Sequence, residues 1–159
     1  MIRYRINTKT ILSIEGNVIL KIMKYRQKQG MHESGGILLG KVRNDYSELI
    51  ITDISEPCIK DKSGRCYFIR NKENAQMIIN KEWEKSNGEI NYLGEWHTHP
   101  EINPNPSFID RRLLKQCIKK NKYPFHGLFM IIVGTNGHLY VGYQAKTMRK
   151  QKQLQRIKE

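Results

Sequence analysis

The segment Trp96-His97-Thr98-His99-Pro100 constrains the fold most, because it joins an apolar-leaning run to a helix-like pattern. Successive side chains on a β-strand point to opposite faces, so His97 and His99 share one face and Thr98 points to the other. At a rise of roughly 3.3 Å per residue the two imidazoles start about 6–7 Å apart along the strand and can converge on one ion. The sequence therefore predicts a strand that ends in a pair of metal-binding histidines.

A third ligand is expected from Asp110. It lies three residues after Ser107, which directly follows a proline-rich loop. Ser107 is typical of a helix N-cap, which places Asp110 in the first turn of the next helix, facing back toward the strand end. Taken alone, Ser107-x-x-Asp110 is better explained as a simple capping box, and a lone His-x-His is common and usually has no function. Together they favour two His and one carboxylate with a fourth position open to water, as in catalytic Zn²⁺ sites.

Two separated motifs resemble a known family. The spacing of His97, His99, Ser107 and Asp110 resembles the JAMM motif of the JAB/MPN metallopeptidases, and residues 33–40 match its other element, a glutamate before a Gly-rich strand. The resemblance extends from about residue 11 to residue 143. The sequence Glu-Trp-His-Thr-His-Pro-Glu, in a chain this short, is most similar to the prokaryotic JAB deconjugating peptidases of bacterial CBASS anti-phage systems.

This resemblance implies a role for each motif residue. One Zn²⁺ per chain would be bound by His97, His99 and Asp110, and Ser107 would help to stabilise the developing oxyanion. Glu33 would be the general base, although its local sequence alone favours a solvated loop carboxylate. Glu95 is the competing candidate for the base, since it shares the strand parity of the two histidines.

The resemblance also implies a substrate class. Such enzymes hydrolyse the bond after the C-terminus of a conjugated protein, either a ubiquitin-like tag or, for the CBASS members, a cyclic-oligonucleotide synthase joined to a target. Relatives of ubiquitin-activating and ubiquitin-conjugating enzymes would then be encoded in the same operon. Two alternatives stay open: a peptidase that processes a sulfur-carrier protein or a RadC-like substrate, and a non-catalytic MPN scaffold.

Composition limits the remaining classes of protein. The 159 residues suit one domain with its own core. Three cysteines without CxxC spacing indicate neither a disulfide framework nor a Cys-rich zinc site, and they favour the cytoplasm. No apolar run is long enough for a membrane helix. The net charge of +13 is spread evenly along the chain, so specific nucleic-acid binding is not favoured over weak polyanion contacts or an acidic protein partner.

The pattern of apolar residues predicts one α/β domain, with a curved mixed β-sheet flanked by helices. We expect the JAB/MPN-like domain to span residues 1–144 and residues 145–159 to form a basic C-terminal helix or tail. A first helix is expected to end before Gly30, and a second to run from Asn71 or Lys72 through a buried Trp83. A hairpin is expected to join residues 128–133 to residues 139–143.

Overall fold

The computed structural model describes residues 1–120 and 127–159. His126, to which the sequence assigns no role, lies outside these ranges. The helices of the described ranges are α1 (Gly16–Met23), α2 (Lys72–Lys85) and α3 (Phe108–Lys120). The strands there are β1 (Ile2–Arg5), β2 (Ile11–Ile14), β3 (Gly35–Val42), β4 (Glu48–Ile54), β5 (Lys62–Ser63), β6 (Phe68–Ile69), β7 (Asn91–Thr98), β8 (Gly127–Val133), β9 (Leu139–Ala145), β10 (Lys152–Gln153) and β11 (Gln155–Arg156).

Nine strands form one mixed sheet in the order β10-β9-β8-β7-β3-β4-β2-β1-β11, and β5 and β6 form a separate hairpin. The β2–β4 and β7–β8 pairs are parallel, whereas the other neighbours are antiparallel. Strand β7 lies between β3 and β8, and all of its residues are buried. The predicted single α/β domain with a curved mixed sheet is confirmed, and the strand that carries the two histidines is held on both sides.

The end of the chain completes the sheet. Strand β10 pairs with β9 and β11 pairs with β1, so a segment of five residues reaches both edges of the sheet. Its central residue, Leu154, is buried in the core and donates its N–H to the Val141 carbonyl at 2.8 Å. The helix or tail predicted for residues 145–159 was therefore wrong, because one apolar side chain and two unpaired strand edges outweigh the basic composition. Strand β9 also runs across the predicted boundary at residue 144.

An apolar layer covers each face of the sheet. Helix α1 packs on one face, and helices α2 and α3 pack on the other. The α1 layer is built from side chains that are almost fully buried, among them Leu12, Ile14, Val18, Ile22, Leu38, Leu93, Trp96 and Phe129. The opposite layer includes Ile37, Leu39, Ala75, Ile79, Leu114, Ile118, Leu128 and Met130. Both layers meet along β7 and β8, so the strand of the His pair lies at the centre of the domain.

The helices differ from their predicted extents in two places. Helix α1 ends at Met23, which leaves residues 24–34 as an irregular segment before β3. Helix α2 begins as predicted, with the Asn71 side chain accepting the Asn74 N–H, but Trp83 is 47% exposed. Its ring lies against Gly88 beyond the helix end, and its predicted place in the core was wrong. None of the helices in the described ranges has the length and apolar character needed to cross a membrane.

Candidate metal centre

The two histidines converge at the end of β7. Strand β7 ends at Thr98, and the side chains of His97 and His99 lie on the same side of the backbone, as the alternation predicts. Their Nε2 atoms are 3.0 Å apart, and both residues are buried. The Nδ1 of His99 lies 2.7 Å from the Glu101 carboxylate, which only accepts hydrogen bonds when ionised. A neutral His99 ring that donates from Nδ1 to Glu101 leaves Nε2 unprotonated and able to bind an ion.

Asp110 supplies a third donor at the same point. Its Oδ2 lies 3.2 Å from the Nε2 of His97 and 3.1 Å from the Nε2 of His99. The same residue is part of a capping box, in which the Ser107 N–H donates to Asp110 Oδ2 at 2.8 Å and the Asp110 N–H donates to Ser107 Oγ at 3.1 Å. The capping box and the third ligand are thus the same arrangement, because the cap orients the carboxylate toward the strand end.

The three donor atoms fit a small metal ion. A tetrahedral ion with bonds of about 2.0–2.1 Å holds its ligand atoms about 3.3 Å apart. The three separations here, 3.0, 3.1 and 3.2 Å, are close to that value. Imidazole nitrogen and carboxylate oxygen are also the donors found in catalytic sites with three protein ligands. Burial raises the pKa of Asp110, but the hydrogen bonds with His97 and His99 outweigh it and hold that pKa well below its usual range.

Glu33 lies beside these donors on the irregular segment that precedes β3. Its carboxylate and the ring nitrogens of His97 and His99 lie within 4.8 Å of one another. Burial raises the pKa of the Glu33 carboxyl to about 7, an effect that the nearby His99 partly offsets. A carboxyl in these surroundings exchanges its proton near neutral pH, which suits a proton-transfer role.

Two glycines allow Glu33 to come this close. In the β3–β7 ladder Gly35 pairs with His97 and Gly36 pairs with Trp96. A Cβ on Gly35 would lie 2.6 Å from the Trp96 carbonyl oxygen, and one on Gly36 would lie 2.4 Å from the Ser55 carbonyl oxygen. A side chain at Gly35 would push β3 away from β7, and one at Gly36 would collide with Ser55 just after β4, so the Gly pair allows the close packing that positions the glutamate before it.

Comparison with known proteins assigns the chain to a family. Residues 16–152 match the family described as prokaryotic homologs of the JAB domain. The chain belongs to this family. It is 45% identical over 134 residues to a protein from Escherichia coli, which covers 84% of this chain and 81% of that protein. It is 37% identical over 125 residues to a protein from Vibrio cholerae serotype O1, which covers 78% and 76% of the two chains. Both relatives are named CD-NTase/cGAS isopeptidase.

The JAB fold is also seen in a solved structure. The solution structure of protein DSY2949 from Desulfitobacterium hafniense superimposes with a TM-score of 0.60. The alignment covers 89% of this chain and 88% of that one at 16% sequence identity. This likeness concerns the fold alone.

Glu95 lies on the same face of β7 in this JAB domain but has another partner. Its Oε1 accepts from Arg70 Nε at 2.7 Å, and the Cys117 thiol lies 3.7 Å from the same oxygen. Burial raises the pKa of Glu95, while Arg70 opposes that rise. The Glu95 carboxylate is therefore paired with Arg70 and does not join the donors around His97.

A β-bulge explains why Tyr92 lies on the same face of β7 as Glu95. The ladder with β3 shifts register so that Leu39 pairs with Tyr92 and Leu38 with Gly94, which leaves Leu93 without a partner. Gly94 has a φ of 145°, and a Cβ there would lie 1.9 Å from the Phe129 carbonyl oxygen. Simple alternation would have placed Leu93 on the face of Glu95, so Tyr92 could have been found only through the glycine signal of a bulge.

A cavity of about 600 Å³ opens next to the donors. It lies between α2, α3, β6 and β7, and its wall includes His97 and Asp110. Much of the remaining wall is apolar, from Phe68, Ile69, Ala75, Ile79, Ile109 and Leu113. Ile69 and Ile109 are more than half exposed at its rim. The JAB domain thus offers an apolar surface directly beside the candidate metal centre, as binding sites commonly do.

Proposed function

We propose that this protein is a zinc-dependent isopeptidase that hydrolyses the bond after the C-terminus of a conjugated protein. Its proposed substrate is a cyclic-oligonucleotide synthase joined through its C-terminus to a target, and its biological role is the release of that synthase in CBASS anti-phage defence. The conjugate would be made by an enzyme related to ubiquitin-activating and ubiquitin-conjugating enzymes and encoded in the same operon. The proposed compartment is the cytoplasm, where the three free cysteines would remain thiols.

One observation carries this proposal. Three donor atoms from His97, His99 and Asp110 lie within 3.2 Å of one another, with the Glu33 carboxylate beside them. A scaffold that had lost its activity would have no reason to keep this set together. The names of the Escherichia coli and Vibrio cholerae relatives support an isopeptidase rather than another hydrolase.

In the proposed mechanism, His97, His99 and Asp110 hold the metal. A bound Zn²⁺ would lower the pKa of a water molecule and polarise the scissile carbonyl. Glu101 accepts the Nδ1 proton of His99 and so keeps its Nε2 free for the ion. The capping bond from the Ser107 N–H keeps Asp110 Oδ2 in place.

Glu33 moves the proton in this mechanism. Its carboxylate takes a proton from the attacking water and later gives it to the nitrogen of the leaving amine, which departs as the amine of a lysine side chain or of a peptide. The oxygen of Ser107 accepts the Asp110 N–H, so its own hydroxyl hydrogen remains available to the oxygen of the tetrahedral intermediate. Both residues act on the reacting atoms without leaving their positions in the fold.

The cavity beside the donors would receive the tail of the conjugated protein. Its apolar wall favours a tail with apolar side chains near the scissile bond. Lys72 and Lys120 also line it, whereas its two carboxylates, Glu95 and Asp110, already have partners. The cavity therefore tolerates acidic groups on the tail better than basic ones.

The decisive experiment combines metal analysis with a cleavage assay. We expect about one zinc per chain by elemental mass spectrometry, and release of a synthase with an intact C-terminus from its conjugate. A sulfur-carrier protein with a C-terminal extension serves as the competing substrate. Preferential cleavage of the carrier would redirect the substrate assignment. A zinc-loaded protein that cleaves neither substrate would contradict the proposed activity.

A further inference from the structure

Thr98, between the two histidines, links β7 to the segment that carries Glu33. Its side chain points away from the metal centre and is fully buried. The Ser34 N–H donates to Thr98 Oγ1 at 3.0 Å, and the Thr98 N–H donates to the Ser34 carbonyl at 2.9 Å. Two hydrogen bonds therefore join the residue after Glu33 to the residue between the two histidines.

Gln27 completes this link from the opposite side. Its Oε1 accepts from Thr98 Oγ1 at 2.9 Å, and its Nε2 donates to the Met31 carbonyl at 3.0 Å and to the Arg65 carbonyl at 3.1 Å. Gln27 is 3% exposed, so these bonds replace all of its contacts with water. One buried amide thus ties together β7, the irregular segment 24–34 and the turn of the β5–β6 hairpin.

Glu33 is held in place by hydrogen bonds of the neighbouring backbone rather than by a helix or strand of its own. Its segment has no regular secondary structure, and its N–H donates to the Gly64 carbonyl at 2.7 Å, in the same hairpin turn that Gln27 holds at Arg65. The β3–β7 ladder begins at Gly35, so Glu33 lies outside it. The distance between the Glu33 carboxylate and the donors therefore depends on the bonds at Ser34, Gly64 and Gln27.

We propose that Gln27 and Thr98 are positioning residues that hold Glu33 at its working distance from the His97–His99 pair. This inference rests on the proposed function, in which Glu33 transfers the proton. A misplacement of about 1 Å in such a group lowers a rate about 100-fold. A metal ligand on β7 or α3 is held by other contacts, so the same change leaves metal binding intact.

The test uses the whole protein with Thr98→Val and Gln27→Met. Both variants keep the approximate side-chain size, and they remove the hydrogen bonds of Thr98 Oγ1 and of the Gln27 amide. We expect kcat for conjugate cleavage to fall about 10- to 100-fold, with KM changed less than about 3-fold and zinc content unchanged. Thr98→Ser, which keeps the hydroxyl, should restore most of kcat. Hydrogen exchange at the Ser34 amide should become faster in Thr98→Val and Gln27→Met, even in zinc-free protein.

Gln144→Met is the matched control. Gln144 is also a buried amide with two backbone acceptors, the carbonyls of Ala145 and Met148, but it lies on β9. This variant also removes buried hydrogen bonds of an amide, and it should keep kcat and the slow exchange at Ser34.

Three results would overturn the proposal: wild-type kcat in folded, zinc-loaded Thr98→Val; loss of zinc from that variant; or equal loss of kcat in Gln144→Met. A wild-type protein without activity would contradict the proposed function instead. In that case slow exchange at Ser34 in both Thr98→Val and Gln27→Met would reject the link, and fast exchange would support it.

Discussion

Two buried polar clusters share one face of β7 and differ in where their positive charge comes from. Glu95 is paired with a cation of the chain itself, at 2.7 Å from Arg70. His97, His99 and Asp110 turn three donor atoms toward one point, and no lysine or arginine of the described residues forms an ion pair with that Asp110. The first cluster has its cation within the chain, and the second has the donor atoms of a candidate metal site. Burial and polarity alone therefore do not mark a functional site, whereas donors that converge without a cation do.

The largest expected effect comes from removing one donor of the second cluster. In His97→Ala we expect the loss of bound zinc and a fall in cleavage of at least about 1,000-fold, since two remaining ligands hold the ion poorly. Elemental mass spectrometry and the conjugate assay measure both. His138→Ala is the control, because that exposed histidine contacts Asn103 away from the donors. Zinc retained at wild-type affinity in His97→Ala would mean that the donors do not form the site.

Glu33→Gln should separate the metal from the chemistry. The amide keeps the size of the side chain but takes no proton, so we expect a loss of about 100- to 10,000-fold in kcat with full zinc occupancy. Glu95→Gln is the paired control on the same strand face, and it should retain most of the activity. An active Glu33→Gln together with an inactive Glu95→Gln would transfer the base to Glu95.

The sequence predicted the convergence of His97, His99 and Asp110 better than it predicted their surroundings. The His97–His99 parity and the Ser107–Asp110 spacing are local patterns, which depend on one strand and one helix turn. Glu33 could not be chosen from its own sequence, because its place depends on the pairing of Gly35 and Gly36 with β7. That choice came from the family resemblance.

Contacts between distant segments explain what sequence reasoning missed. Arg70 meets Glu95 across 25 residues, and Gln27 meets Thr98 across 71. Tyr92 lies on the same face of β7 as Glu95 only because a bulge next to Gly94 reverses the alternation. The polar end of the chain was predicted as a helix or tail, although Leu154 enters the core and its neighbours pair with both sheet edges. These features arise from packing, which periodicity within one segment does not contain.

The ion pair between Arg70 and Glu95 should matter for stability rather than for cleavage. Arg70→Met leaves the Glu95 carboxylate buried without its cation, so we expect the free energy of unfolding to fall by about 3 kcal/mol. Denaturation in urea measures this change. The double variant Arg70→Met with Glu95→Gln should recover most of the loss, because no unpaired charge remains.

Arg43→Met tests an ion pair whose cation is exposed, and its loss of stability is compared with that of Arg70→Met. Arg43 contacts Glu48 at 2.6 Å but its side chain is 60% exposed, so water screens its charge and the expected loss is much smaller than at Arg70. Equal losses in Arg43→Met and Arg70→Met would remove the distinction between a buried cluster and a surface pair.

The smallest effect on the candidate metal centre is expected at Glu101, which contacts the donors only through His99. Glu101→Gln weakens the acceptor that keeps the His99 proton on Nδ1, and the loss of such a partner typically lowers metal affinity about 10- to 100-fold. Its side chain is 48% exposed, so water can take over part of this role and the lower end of the range is expected. Competition with a chelator measures the affinity, and Glu56→Gln, which weakens the acceptor of the Tyr25 hydroxyl, is the control. An unchanged affinity would show that the capped Asp110 and the strand geometry suffice to orient His99, and that the cluster needs no support beyond its three donors.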